Sequence, residues 1–148
     1  MRKLIIFILI SLFLCLAGVC AKKDLGSLKD LFPNAQIEVY TKNVTRFDEN
    51  YITNGDGYII YSTINNFCSV FENHDVTGYT IKINNTSPIQ ICKKLKASCV
   101  VYDGGYMYGY SCFFPGEIIL KDIKVNFQCA FWEDNKILIG TPILLGSY

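Results

Sequence analysis

With 148 residues and 51% hydrophobic side chains, the chain is long enough to bury the core of one compact domain. Its 14 basic side chains stand against 13 acidic ones, a formal net charge of +1. A nucleic-acid binder relies on Lys and Arg to displace counterions from phosphates, so this balance argues against nucleic acid as a partner. It argues equally against a polybasic grip on anionic lipid.

The N-terminus reads as a secretory signal over residues 1–21. Arg2 and Lys3 supply the positive start, Leu4 to Val19 is apolar and free of charge, and Val19 and Ala21 fit the small-residue rule before a cut at Lys22. The apolar stretch is 16 residues long, short of the roughly 20 that cross a bilayer comfortably. An uncleaved signal would leave the protein membrane-tethered, and Cys20 raises a lipoprotein alternative that the branched Val19 disfavours. Cleavage removes Arg2 and Lys3 and leaves a single domain, 22–148, with 12 basic and 13 acidic residues. The expected location is secreted or extracytoplasmic, with no stable membrane insertion after cleavage.

Along the domain, Leu25, Leu28, Leu31 and Phe32 recur at helical spacing, and Pro33-Asn34 stops that helix. Gln36 to Lys42 alternates, with Ile37, Val39 and Thr41 on one face of a strand. Asn54-Gly55-Asp56-Gly57 is a turn signal built on Asn-Gly, and Gly57 to Ile64 is the strand that follows. A helical turn is expected near Asn66 to Phe71, then a strand over Tyr79 to Ile83.

Ser87-Pro88-Ile89-Gln90 carries the strongest helix start: a capping serine, a proline at the first helical position and a glutamine that reaches back. That helix is expected to reach Ala97, with Ile91, Cys92 and Leu95 inward and Lys93, Lys94 and Lys96 as its solvated side. An antiparallel meander follows. Ser98 to Tyr102 turns at Asp103-Gly104-Gly105 into Tyr106 to Ser111, Pro115-Gly116 breaks the chain, and Ile118 to Leu120 precedes one long strand from Ile123 to Trp132. Glu133 to Lys136 turns that strand into Ile137 to Ile139. Pro142 resists central ladder bonding, and apolar Ile143, Leu144 and Leu145 are expected to add an edge strand. Segregated helices and antiparallel strands predict an α+β fold, a curved antiparallel sheet with helices packed on one face.

Signs of chemistry are sparse. His74 is the sole histidine; it excludes zinc sites built on several histidines and reads as a solvated loop residue. Cys68, Cys92, Cys99, Cys112 and Cys129 survive cleavage, an odd number that leaves at least one free or paired with another chain; an oxidising compartment permits disulfides, and buried core thiols are the alternative. None is spaced Cys-x-x-Cys. The acidic stretch from Asp48 to Gly57 fails as a calcium loop because Ile52 falls where an oxygen donor is required. No catalytic residue, metal or cofactor is indicated. Asn43-Val44-Thr45 and Asn85-Thr86-Ser87 match the short N-glycosylation pattern. Tyr106, Tyr108 and Tyr110 share one strand face and form a candidate binding surface, although cross-strand packing under a helix is the plainer reading.

Gly109-Tyr110-Ser111, the run Lys124 to Ala130, Ile139-Gly140-Thr141-Pro142-Ile143 and the terminal Tyr148 form an ordered set. Over residues 93–148 this set resembles the YwmB-like family of exported proteins from spore-forming bacteria. The resemblance implies a TATA-binding-protein-like fold and a loose link to the cell envelope or sporulation, with no catalytic residues to transfer. The chain is shorter than the two-halved family members. The expected function is an extracytoplasmic binding or interaction module, partnered by an extracytoplasmic protein or envelope component. The alternative is a small secreted cell-wall hydrolase or thiol-dependent enzyme.

Overall fold

The computed structural model describes residues 27–44, 50–132 and 135–142. A helix, α1, occupies residues 27–31 and leads through the Pro33-Asn34 turn into β1 (Gln36–Thr41). The hairpin β2 (Tyr51–Asn54) and β3 (Gly57–Thr63) runs through a 3-10 turn (Ile64–Asn66) into α2 (Phe67–Asn73). Then come β4 (Val76–Asn84), α3 (Pro88–Lys94), β5 (Ser98–Asp103), β6 (Tyr106–Tyr110), β7 (Ile118–Leu120), β8 (Ile123–Val125), β9 (Phe127–Trp132) and β10 (Lys136–Thr141). Eight strands form one sheet in the order β2-β3-β1-β4-β10-β9-β6-β5, and every neighbour pair is antiparallel. β7 and β8 form a separate two-stranded hairpin. The protein is therefore α+β, built mainly on an antiparallel sheet with a few short helices.

Register decides which side chains meet. Ile37, Val39, Ile60, Tyr79, Ile81, Ile137, Ile139, Cys129, Phe127 and Met107 fall on one face. They join Leu28 and Phe32 of the α1 region, Ile64 and Phe67 around α2, and Ile91 and Leu95 of α3 in one buried cluster. Helices of seven residues or fewer are marginal alone. They persist here because each delivers fully buried anchors such as Leu28, Phe67 and Ile91, each worth about 1.5–3 kcal/mol as an upper bound. On the other face, Tyr40, Thr80, Leu138, Gln128 and Ala130 are also withdrawn from solvent. There the Tyr40 and Thr80 hydroxyls lie 3.4 Å apart, and Lys82 pairs with Glu38.

The expected capping box of α3 forms: the Ser87 hydroxyl accepts the Gln90 N–H at 3.3 Å, and Gln90 Oε1 accepts the Ser87 N–H at 3.2 Å. The helix stops short of Ala97. Lys96 adopts φ 49°; its N–H reaches Lys93 O at 3.2 Å and that of Ala97 reaches Cys92 O at 2.9 Å. This paired reversal is the Schellman arrangement, with a lysine where glycine is usual.

The first hairpin turns on Gly55-Asp56 rather than Asn54-Gly55. Asn54 pairs with Gly57 and Gly55 takes the positive φ, 58°. The second hairpin uses Gly104 and Gly105 at φ 58° and 85°, as its two-residue loop requires.

The single strand expected from Ile123 to Trp132 is instead two. Asn126 interrupts it, fully buried, with its amide donating to Ser111 O and Phe114 O at 2.8 Å each and its Oδ1 accepting the Ser111 N–H at 2.9 Å. The side chain thus satisfies three backbone groups of the β6–β7 connection, while the Asn126 N–H still donates to Gly109 O of β6 at 2.9 Å. The signal segment 1–21, the helix start at Leu25, part of the Glu133 turn and the terminal strand at Ile143 to Leu145 lie outside the described residues.

Candidate functional site

A cavity of about 670 Å³ opens at the end of the sheet where β1 begins, β4 ends and β10 begins. Leu31, Phe32, Ile83 and Leu138 supply apolar wall. Asn34, Gln36 and Asn84 add amides, and Lys82, Lys94 and Lys136 add ammonium groups. No carboxylate is among the described residues of its wall. The volume falls within the range typical of small-molecule sites, where an apolar wall carries a few convergent polar groups.

Each lysine arrives by a different route. Lys82 and Lys136 project from β4 and β10, and Lys82 is tied to Glu38 of β1. Lys94, in the last turn of α3, spans from helix to loop: its Nζ lies 5.5 Å from the Phe32 ring centroid and 3.5 Å from Leu31 O. A cation over an aromatic face is held loosely in place without losing its charge. Sequence reading treats Lys93, Lys94 and Lys96 as the solvated side of α3. All three are indeed exposed, yet Lys94 also closes this cavity. No spacing pattern announces the grouping, because the three lysines come from segments that meet only through sheet order.

The tyrosine surface is placed otherwise than packing under a helix would have it. Met107 and Gly109 take the helix side of β6, with Gly109 opposite Phe127. Tyr106, Tyr108 and Tyr110 therefore occupy the opposite face. Tyr106 is exposed, and its ring centroid lies 6.4 Å from that of Tyr108. The Tyr108 hydroxyl accepts from Gln128 Nε2 at 3.2 Å. Desolvation, and then the nearby Asp103 carboxylate, hold that phenol above its ordinary pKa.

The cysteines do not converge as one cluster. Cys68 and Cys112 are exposed, Cys92 is half-buried and Cys129 is buried, and all four are free thiols. Cys99 lies in β5, and its side chain falls outside the described set. Burial pushes the Cys92 and Cys129 thiols up, the reverse of what a nucleophilic cysteine requires. His74 caps the end of α2, its Nδ1 2.7 Å from Val70 O. Among the described residues, no three His, Cys, Asp or Glu side chains gather as a metal site. No helix among them is long and apolar enough to cross a membrane.

Gly109, Ser111 and Asn126, within the motifs that carry the family resemblance, take structural places. A Cβ at Gly109 would stand 2.6 Å from the Phe127 ring. Ser111 Oγ donates to Leu95 O at 2.6 Å and so ties β6 to the end of α3. Comparison of the chain with protein-family models, with curated proteins and with solved structures finds no match.

Proposed function

We propose that this chain is an exported, non-catalytic binding module, and that its ligand is an amphipathic anion, free or as the exposed end of an envelope component, held in the lysine-lined cavity. The observation that carries the reading is the wall itself: three ammonium groups, three amides and an apolar lining, with no carboxylate among its described residues. With Lys82 balanced by Glu38, Lys94 and Lys136 supply the positive charge that attracts an anion from a distance, and the apolar wall rewards a hydrocarbon portion. Export rests on the charge, length and small-residue pattern of residues 1–21. Membership of the YwmB-like family and a TATA-binding-protein-like arrangement belong to the same reading. What supports them is the ordered motif set from Gly109 to Tyr148 and an antiparallel sheet with its helices on one side. Nucleic acid is not the proposed ligand, because the exported domain has no basic excess. The rival reading, a cell-wall hydrolase or thiol enzyme, draws no support from thiols that burial keeps protonated.

The test is calorimetric titration of the protein with decanoate and decyl phosphate, with decanol as the neutral control. The anions bind at least tenfold more tightly than decanol, and added salt weakens them. Lys94→Glu combined with Lys136→Glu removes that preference while the thermal midpoint stays close to that of the parent. Equal binding of decanol, or anion binding unchanged in the double variant, would rule the reading out.

A further inference from the structure

Three sulfur-bearing side chains are neighbours on the side of the sheet that faces α3. Cys92 projects from the helix toward the sheet, and its Sγ lies 3.4 Å from Sδ of Met107 on β6. Met107 stands directly across from Cys129 of β9 in the strand register, on the helix-facing side. Ile91, Leu95, Phe127 and Ile139 belong to the same buried cluster, so the surroundings offer hydrocarbon rather than oxygen donors.

We propose that Cys92, Met107 and Cys129 form a binding site for one soft monovalent metal ion of the Cu(I) class. Two thiols and a thioether suit such an ion, whereas calcium and magnesium require oxygen ligands and structural zinc favours four nitrogen or sulfur donors. The spacing is close to what coordination needs. Two sulfurs each about 2.3 Å from a shared metal at the 120° angle of a three-donor site are about 4.0 Å apart, so the 3.4 Å contact opens by about 0.6 Å. Cys92 is half-buried and gives access, while Cys129 and Met107 are buried and keep water from the ion. Binding involves no oxidation or reduction. Two S–H bonds break, two metal–thiolate bonds form, the thioether donates a lone pair, and two protons leave to solvent. The bound unit carries one negative charge.

Coordination by two thiolates displaces a proton from each thiol. Affinity therefore rises about a hundredfold per pH unit below the thiol pKa values.

The probe is Ag(I), which has the same charge and softness as Cu(I) and is stable in air. Full-length protein in which Cys15, Cys20, Cys68, Cys99 and Cys112 are all replaced by Ser keeps Cys92 and Cys129 as its two thiols. Native mass spectrometry should show one Ag(I) per chain with two protons lost, and metal binding should raise the thermal midpoint. Met107→Leu, which conserves volume, should weaken binding at least tenfold without lowering the metal-free midpoint by more than a few degrees. Cys92→Ser should abolish tight binding. Unchanged stoichiometry and affinity in both variants would place the ion on other thiols and overturn the proposal. So would a Cys92–Cys129 disulfide in protein isolated without reductant.

Discussion

Replacing Asn126 by Asp exchanges an amide for a carboxylate of the same shape at a fully buried position. The acceptor toward the Ser111 N–H survives, but the two donors disappear, and Ser111 O and Phe114 O then face a carboxylate oxygen where each had an N–H at 2.8 Å. Each of the two buried carbonyls left unpaired costs about 1–3 kcal/mol. The expected loss is about 2–6 kcal/mol of the 5–15 kcal/mol typical of a domain. Urea unfolding followed by circular dichroism at pH 7 should show a midpoint lower by roughly 2 M, given the usual slope for a small domain. The acidity of the new group adds a sign. Burial beside two carbonyl oxygens raises its folded-state pKa above the unfolded value of about 3.9. A raised folded pKa means that the native state binds the extra proton, so the deficit is full above that pKa. It shrinks as pH falls through it toward about 4. A midpoint within 0.3 M of the parent, or a deficit that widens on acidification, would refute the role assigned to Asn126.

Gly109→Ala puts a Cβ 2.6 Å from Phe127 Cζ and 2.8 Å from Cε1; because Phe127 is fully buried, the loss should be about 1–3 kcal/mol, and a double-mutant cycle with Phe127→Leu should show strong non-additivity. Lys96→Gly relieves a left-handed conformation at φ 49° and should raise stability by about 1 kcal/mol, read as a higher denaturation midpoint. Tyr79→Phe removes a buried hydroxyl that has no hydrogen-bond partner among the described residues; stability should rise by about 1 kcal/mol, and a fall of that size would mean the hydroxyl is satisfied through an internal water.

Much of this architecture is legible locally. The capping box at Ser87 and Gln90 lies within four residues and its bonds form as the residue types demand. The alternation in Gln36 to Thr41 places Ile37 and Val39 against the helices, and Gly104-Gly105 turns where two positive φ values are required. Local patterns work there because the physics is local: a cap, a pleat and a turn each involve neighbours in the chain. The place of Asn126 at this break was not legible, since the backbone groups of Ser111 and Phe114 that its side chain serves reach it only in the fold. In isolation, Lys124 to Trp132 alternates well enough for one strand.

The same division governs the candidate sites. Lys82, Lys94 and Lys136 are 12 and 42 residues apart in sequence and share a cavity because β4 and β10 are neighbours in the sheet. Cys92, Met107 and Cys129 lack any metal-ligand spacing, and they meet because β6 pairs with β9 beneath α3. Tyr106, Tyr108 and Tyr110 were known to share a face, but which face depended on Gly109 sitting opposite the Phe127 ring. The sequence by itself determined the α+β class, the near-neutral charge and most element positions, because these follow from composition and short-range periodicity. Strand order and register decided the cavity, the sulfur group and the side of the sheet on which the tyrosines stand, because those contacts join residues that no local rule connects.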